Sequence, residues 1–100
     1  MVQFEWDSKK DQENQAKRGV AFAVAQFAFA DSNRVIAEDL SHSSKEKRHY
    51  CFGLVEGGVL TVRFTYRGNV LRIFGAGYWR KGKQIYEREN KIHQRAPRKA

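Results

Sequence analysis

Two arginines occupy the middle of neighbouring strand-like segments in the C-terminal half of the chain. Residues 59–66 and 70–78 are rich in β-branched and aromatic side chains, and residues 67–69 between them are typical of a tight hairpin turn. A two-residue loop would place Arg63 directly opposite Arg72 or diagonal to it, on one face of the sheet. Because like charges opposed across strands are destabilising, the pair predicts a bound anion, for which a polyphosphate is the obvious ligand. A three-residue loop without a compensating bulge would instead place the two arginines on opposite faces.

The same alternation extends back to residue 50 and predicts a three-stranded meander. Glu56-Gly57-Gly58-Val59 reads as a hairpin with a Gly-Gly loop, which pairs Arg63 with Phe52. One face of the meander is apolar and predicts the core: Cys51, Val55, Leu60, Val62, Phe64, Leu71 and Ile73. The other face mixes aromatic, hydroxyl and guanidinium groups: Tyr50, Phe52, Thr61, Arg63, Thr65, Arg72, Phe74 and Tyr78.

The mixed face has the chemistry that single-stranded nucleic acid requires. Aromatic rings such as Phe52 and Phe74 can stack on bases, while guanidinium groups follow the phosphate backbone. The alternative is a second layer of helices over this face, with its arginines paired to carboxylates.

Further candidate RNA-binding residues follow the second hairpin. Arg80, Lys81 and Lys83 extend the cationic region, and Trp79, at a strand-to-helix junction, is placed to stack on a base. Packing against the sheet is the alternative role for Trp79. Tyr86 can stack, donate a proton or simply pack on the sheet edge.

The sequence shows no spacing of metal ligands and no phosphate-binding loop. We therefore expect no cofactor and, if the chain acts on RNA, cleavage by the 2′-hydroxyl of the RNA itself. Such a reaction needs cations around the phosphorane, for which Arg63 and Arg72 are candidates, and groups that transfer protons. His42 and His49 are the candidate bases, although His49 points to the core face in the predicted register.

The net positive charge of the chain comes from its C-terminal half, whose formal net charge is +8. Residues 1–50 contain eight Lys and Arg against eight Asp and Glu, whereas residues 51–100 contain eleven against three. This asymmetry favours a nucleic-acid backbone or an acidic protein as the partner.

Length and composition predict one small domain at residues 1–94 and a disordered basic tail at residues 95–100. No apolar run is long enough to cross a membrane, and the first residues do not show the basic segment followed by an apolar segment that is typical of a signal peptide. The single cysteine, Cys51, cannot form an internal disulfide. These features predict a cytoplasmic protein that does not bind membranes.

The remaining elements follow from periodicity, capping residues and alanine content. In chain order they are a strand at 2–6, a polar helix from Asp7 or Ser8 to Arg18, a buried helix at 20–30, an edge strand at 34–37, a loop at 38–48, the meander, and a helix at 80–94.

Several short motifs also occur in a characteristic order. They are Phe4-Glu5-Trp6-Asp7, Asn14 followed by Lys17-x-Gly19-Val20 and Phe22, Glu46-x-Arg48, Arg72-Ile73-x-Gly75-Ala76, and a basic helix with Tyr86-Glu87. Over roughly residues 4–89 the chain thereby resembles BrnT, the ribonuclease toxin family of bacterial type II toxin–antitoxin systems. It departs from the family pattern at Arg18, where histidine is usual, at Gly77, where arginine is usual, and at Gly82-Lys83, where Glu-Arg is usual.

The resemblance implies a RelE-like α+β fold, with an antiparallel sheet, two N-terminal helices on one face and a C-terminal helix. It implies a metal-independent RNA endonuclease that a cognate DNA-binding antitoxin neutralises. It assigns Lys17, Arg72 and Tyr86 to the catalytic site, and the hairpin argument adds Arg63. Two other interpretations stay open: a catalytically inactive module that binds nucleic acid or the antitoxin, and an interaction protein whose basic face docks an acidic partner.

Overall fold

The computed structural model, which describes residues 2–95 and their side chains up to residue 91, contains one five-stranded sheet and three α-helices. The strands are β1 (Gln3–Trp6), β2 (Val35–Glu38), β3 (His49–Val55), β4 (Gly58–Arg67) and β5 (Val70–Gly77). The helices are α1 (Ser8–Arg18), α2 (Phe22–Ala25) and α3 (Arg80–Arg95), and short 3-10 segments occupy Gln26–Ala30 and Leu40–His42. The fold class is therefore α+β. None of these helices has the length and apolar character that crossing a membrane requires.

The sheet has the strand order β1-β5-β4-β3-β2. Strands β3, β4 and β5 form the predicted antiparallel meander, and β2 joins its edge in antiparallel orientation. Strand β1 instead runs parallel to β5, with Glu5 opposite Arg72. The expectation of a wholly antiparallel sheet is wrong for β1, because no hairpin joins this strand to its neighbour and sets its direction.

The first hairpin turns one residue earlier than predicted. Its loop is Glu56-Gly57, and both residues have positive φ, 52° and 84°, as a type I′ turn requires. Arg63 therefore pairs with Tyr50 rather than with Phe52. Since each partner shifts by two residues, every side chain keeps its predicted face.

The second hairpin places both arginines on the same face, as predicted. A two-residue loop at 68–69 pairs Thr65 with Arg72, and a bulge further along shifts the register so that Gly75 lies opposite Arg63. Arg63 and Arg72 are thus diagonal neighbours and not directly opposed.

The bulge also reverses the alternation that follows it, so Ala76 lies in the core. The prediction that Tyr78 belongs to the mixed face is therefore wrong, since its ring packs against Gly58 on the core side of β4.

The apolar face of the sheet packs against α2 and the 3-10 segment that follows it. The main core cluster contains every core residue predicted for the meander, together with Val20, Phe22, Ala25, Ala28 and Ala76. Gly53 permits the close approach, because a Cβ on it would collide with the carbonyl group of Ala28. The predicted buried helix at 20–30 is present as one α-helical turn followed by the 3-10 segment.

Helix α1 lies beside the end of β5. As predicted, Asp7 caps it by accepting a hydrogen bond from the Lys10 amide, and Gly19 ends it with φ 72°. Asn14 fixes the helix to the sheet, since its side chain donates to the carbonyl of Ala76 at 3.0 Å and accepts from the amide of the same residue at 3.2 Å. The last turn of α1 is thereby held over the edge of β5.

Helix α3 covers part of the mixed face. Phe52, Val59 and Tyr86 form a second buried cluster, against which Tyr50 and Ile85 pack. The close contact depends on Gly82, where a Cβ would overlap the Thr61 hydroxyl and the Phe52 ring. The alternative arrangement, in which helices cover the mixed face, is therefore present over β3 and β4, whereas the side nearer β5 stays open. Helix α3 includes Arg95, and the rest of the predicted disordered tail lies outside the described residues.

Candidate nucleic-acid interface

Two adjoining cavities open on the mixed face of the sheet. Cavity A, of about 580 Å³, lies between β2, β3, β4 and the start of α3. Cavity B, of about 250 Å³, lies between α1 and the strands β4 and β5. Arg63 and Trp79 line both cavities and form the boundary between them.

Cations predominate around the two cavities. Five cationic side chains line them, namely Lys10, Lys17, Arg18, Arg63 and Lys81. The only carboxylates among the described lining residues are Glu13 and Glu38. The surface is thus suited to a polyanion.

The guanidinium group of Arg63 is held by an aromatic ring and not by a carboxylate. It lies 5.1 Å from the centroid of the Phe74 ring, and the guanidinium group of Arg48 lies 4.9 Å from the same centroid. Gly75 leaves room for the Arg63 side chain, because a Cβ there would lie 3.3 Å from its Cδ. Arg63 has no ion-pair partner within the described part of the chain. Its N–H groups therefore remain available to an anion.

Arg72 has different surroundings. Its guanidinium group donates to Glu5 on β1 at 3.0 Å, and the residue lines neither cavity. The pair is partly exposed, so the contact is a surface ion pair. The alternative in which the arginines pair with carboxylates therefore holds for Arg72 and not for Arg63.

Lys17 and Arg18, in the last turn of α1, both line cavity B. The guanidinium group of Arg18 lies 4.9 Å from the ring centroid of Trp79, and the Trp79 ring covers Gly77, where a Cβ would approach it to 2.8 Å. Two of the positions at which the sequence departs from the BrnT pattern, Arg18 and Gly77, therefore meet at Trp79.

The other predicted RNA-binding residues differ in accessibility. Phe74 is half-buried in the wall of cavity B, and Lys81 lines cavity A. Arg80 and Lys83 are exposed on the first turns of α3 and line neither cavity.

Phe52 lies on the predicted face but is covered by α3. Its side chain is only 3% exposed, and its ring stacks on Tyr50 with the centroids 5.7 Å apart. Phe52 contributes to the floor of cavity A but has no free ring face on which a base can stack. The sequence did not predict the burial of Phe52, because that burial depends on the packing of Gly82 in α3 against the Phe52 ring.

Tyr86 is not brought to this site. Its hydroxyl donates to Asp31 at 2.6 Å, and burial together with that carboxylate raises the pKa of Tyr86 to about 12. Asp31 also accepts from the Leu54 amide. Tyr50 is the strand partner of Arg63, and Leu54 lies four residues further along β3. Four residues of a strand span about 13 Å. The hydroxyl of Tyr86 therefore fastens α3 to the far end of the sheet.

The structure adds a hydrogen-bonded cluster that centres on Asp39, a residue for which the sequence predicts only a loop. The Asp39 carboxylate is buried and accepts from Tyr50 Oη at 3.2 Å and Ser41 Oγ at 2.9 Å, and it lies 3.0 Å from His42 Nδ1. Burial acts to raise the pKa of Asp39, but these hydrogen bonds outweigh it and lower the pKa. His42 and Tyr50 line cavity A with Arg63. The Asp-x-x-His spacing was the only signal for this cluster in the sequence.

His49 packs on the core side, as predicted. Its ring stacks on Phe64 with the centroids 5.5 Å apart, and it lines neither cavity. No group of three His, Cys, Asp or Glu side chains that could hold a metal ion occurs among the residues described.

A family model for the ribonuclease toxin BrnT of type II toxin–antitoxin systems matches residues 6–82. The matched range contains all the residues that line cavity B and all but Ile85 of those that line cavity A. A search of curated proteins gives no match. Because the family match covers well over half of the sequence, this chain belongs to the BrnT family of ribonuclease toxins of type II toxin–antitoxin systems.

Proposed function

We propose that this toxin is an endonuclease that cleaves single-stranded RNA without a metal ion, at the boundary between cavities A and B. The observation on which this depends is the position of Arg63, which lines two adjoining cationic cavities and has no ion-pair partner among the described residues. A phosphate at Arg63 has one nucleotide on either side of it. In this proposal each of the two cavities binds one of those nucleotides.

Arg63 supplies the charge that the reaction requires. As the 2′-hydroxyl attacks, negative charge builds up on the oxygens of the phosphorane, and a guanidinium group can bind two of them at once. One such donor in a site shielded from water contributes about 3 kcal/mol, or ~100-fold in rate. Lys17 in cavity B and Lys81 in cavity A lie on either side of Arg63 and would hold the neighbouring phosphates.

The aromatic residues of the site favour unpaired bases. The guanidinium groups of Arg63 and Arg18 lie over the rings of Phe74 and Trp79. Splayed bases can stack on guanidinium groups held in this way, whereas a duplex keeps its bases stacked within the helix. Single-stranded RNA is therefore the proposed substrate class.

Arg72 has a secondary role in this proposal. Its charge is compensated by Glu5, so it contributes to the potential of the face more than to the phosphate at Arg63. We assign Tyr86 a structural and not a catalytic role, because its hydroxyl donates a hydrogen bond to Asp31.

The proposal includes a RelE-like fold and a cognate DNA-binding antitoxin. Helix α2 packs on the apolar face of the sheet and the basic cavities open on the opposite face, which supports a fold of this kind. Helix α1 does not share the face of α2, since its residues Lys17 and Arg18 line cavity B. An antitoxin with an acidic segment that occupies these cavities would exclude RNA by charge and by volume.

A second function is a catalytically inactive module of the same family that binds RNA or the antitoxin. The Glu5–Arg72 ion pair favours it, because a compensated arginine is a weaker charge donor. It differs from the first function in that RNA is bound and left intact.

The experiment is expression of the full chain alone in a bacterium, with growth and RNA integrity as the measurements. The wild type should arrest growth and degrade RNA, and Arg63→Ala should do neither at equal protein level. Arg67→Ala is the matched control, since Arg67 lies on the same strand, pairs with Glu46 at 3.1 Å and lines neither cavity. Growth and intact RNA with the wild type would contradict the proposal, and RNA bound but not cleaved would favour the second function.

A further inference from the structure

The Asp39–His42 pair has the geometry of a proton-transfer group. His42 Nδ1 lies 3.0 Å from Asp39 Oδ2 and also 3.0 Å from Ser41 Oγ. Both contacts use the same ring nitrogen, and Nε2 has no hydrogen-bond partner in the part of the chain that the structure describes. An imidazole that is held at Nδ1 by a buried carboxylate keeps its other nitrogen available for a reacting group.

The carboxylate is fixed from several sides. Asp39 is 5% exposed, accepts from Tyr50 and Ser41 in addition to its contact with His42, and its main chain pairs with Arg48. An Asp39 held in this way cannot turn away from the imidazole. His42 itself is 58% exposed in its side chain and lines cavity A, so a substrate can reach it.

The cavity also contains the groups that complete a site. Arg63, opposite Tyr50 on the neighbouring strand, lines it, as does Lys81 from α3. The Thr61 hydroxyl on its floor is buried and has no hydrogen-bond partner among the described residues.

We propose that His42, positioned by Asp39, is the base that takes the proton from the attacking 2′-hydroxyl in cavity A. This inference rests on the proposed ribonuclease function, since it needs a phosphate bound at Arg63. In the step, the 2′-oxygen forms a bond to the phosphorus, the bond from phosphorus to the 5′-oxygen breaks, and its electron pair stays on that oxygen. His42 Nε2 accepts the 2′ proton in cavity A, and solvent water on the cavity B side of the phosphate supplies the proton that the leaving 5′-oxygen requires. The products are a 2′,3′-cyclic phosphate and a 5′-hydroxyl end.

The charged and titratable groups around His42 come from every element that packs against the cavity. They are Glu38 at the end of β2, Asp39 beside the 3-10 segment, Tyr50 on β3, Arg63 on β4 and Lys81 on α3. Burial and the bond to Asp39 raise the pKa of Tyr50, so this phenol stays protonated at neutral pH. Imidazole is the side chain that ordinarily exchanges a proton near neutral pH, so a cleavage rate that depends on pH in this range is the expected signature of an imidazole base.

The experiment is single-turnover cleavage of a single-stranded RNA oligonucleotide by the purified full chain, as a function of pH. His42→Asn keeps an amide nitrogen at the position of Nδ1, and with it the bond to Asp39, but lacks Nε2. It should lower the rate by ~100-fold or more and remove the dependence on pH near neutrality. His42→Ala should be as slow and should be rescued by added imidazole, which can enter the open cavity.

Asp39→Asn tests the positioning role. In multiple-turnover assays it should lower kcat and leave KM near the wild-type value. It should gain nothing from added imidazole, because the ring of His42 is still present. Ser44→Ala, an exposed position two residues further along the loop, is the control and should cleave at the wild-type rate. Circular dichroism and melting curves check that each variant is folded.

The outcomes separate this inference from the proposed function. Wild-type rates in both His42 variants, with activity lost in Arg63→Ala, would overturn the role of His42 alone. Loss of activity in His42→Ala that imidazole does not restore would also contradict it. A wild-type chain that leaves RNA intact would overturn the proposed function and this inference with it.

Discussion

Replacing Arg63 by alanine should abolish most of the cleavage and leave the fold intact. The side chain makes no ion pair with the described residues, and its identified contact is with the ring of Phe74 at 5.1 Å. Removing that interaction costs about 0.5–1 kcal/mol of stability, a decrease in melting temperature of a few degrees for a domain of this size. The loss in the transition state is larger, about 3 kcal/mol or ~100-fold in rate.

The assay is multiple-turnover cleavage of a fluorescent single-stranded RNA at 25 °C, with kcat and KM measured separately. Arg63→Ala should lose mainly kcat, because the charge on the phosphate increases in the transition state. Arg63→Lys keeps the charge but cannot bind two oxygens in a planar fork. Its cleavage rate should therefore fall between that of the wild type and that of Arg63→Ala.

Arg67→Ala separates the position of the charge from the charge itself. It removes one cation from the same strand, at a site outside both cavities, and should cleave within a few-fold of the wild type. Equal losses in Arg63→Ala and Arg67→Ala would refute the reasoning, because net charge alone would then explain the effect. Cleavage by Arg63→Ala at the wild-type rate would show that the phosphate binds elsewhere.

Three further predictions concern binding, the second arginine and stability. Removing Arg80, Lys81 and Lys83 together should flatten the dependence of RNA affinity on salt, by about one unit of slope for each phosphate that the variant no longer binds, and an unchanged slope would show that this part of α3 does not meet the backbone. Arg72→Ala should slow cleavage less than Arg63→Ala does, and a larger loss from Arg72→Ala would place the phosphate at Arg72. Glu5→Gln frees Arg72 from its ion-pair partner and should therefore tighten RNA binding in a filter or fluorescence assay. Tyr86→Phe should lower the unfolding free energy at neutral pH by about 1.5–3 kcal/mol, since it removes a hydrogen bond to a charged group, without changing the cleavage rate of the folded protein. Because the pKa of Tyr86 is raised in the folded state to about 12, its contribution is complete below pH 10 and is lost as the pH rises to about 12, so denaturation curves should show a weaker pH dependence in that window for Tyr86→Phe than for the wild type.

The faces of the meander could be predicted as far as Phe74 because a strand alternates with a period of two, but the bulge that follows reverses the faces of Ala76 and Tyr78. That alternation placed Val62 and Phe64 in the core and Arg63 on the opposite face, whichever two-residue loop the turns adopted. The alternation says nothing of register, however. The Glu56-Gly57 turn and the bulge beside Gly75 decide the actual neighbours of Arg63, and both are local backbone choices.

The contacts between distant segments could not be predicted in the same way. The parallel pairing of β1 with β5 brings Glu5 to Arg72, which is 67 positions away in the sequence. No local sequence pattern predicts this pairing. The burial of Phe52 depends on Gly82, a helix position where glycine has no local advantage.

The Asp39–His42 pair was missed for a related reason. The segment is polar, so it is typical of a loop, and only tertiary packing against Tyr50 buries the carboxylate and gives the imidazole its orientation.

The most direct measurement is the chemistry of the RNA ends that the purified wild-type chain produces in the presence of a chelator. Attack by the 2′-hydroxyl at a phosphate bound to Arg63 should leave 2′,3′-cyclic phosphate and 5′-hydroxyl ends, at the same rate with and without the chelator. Products with 3′-hydroxyl and 5′-phosphate ends, or a reaction that stops when the chelator is added, would contradict the account.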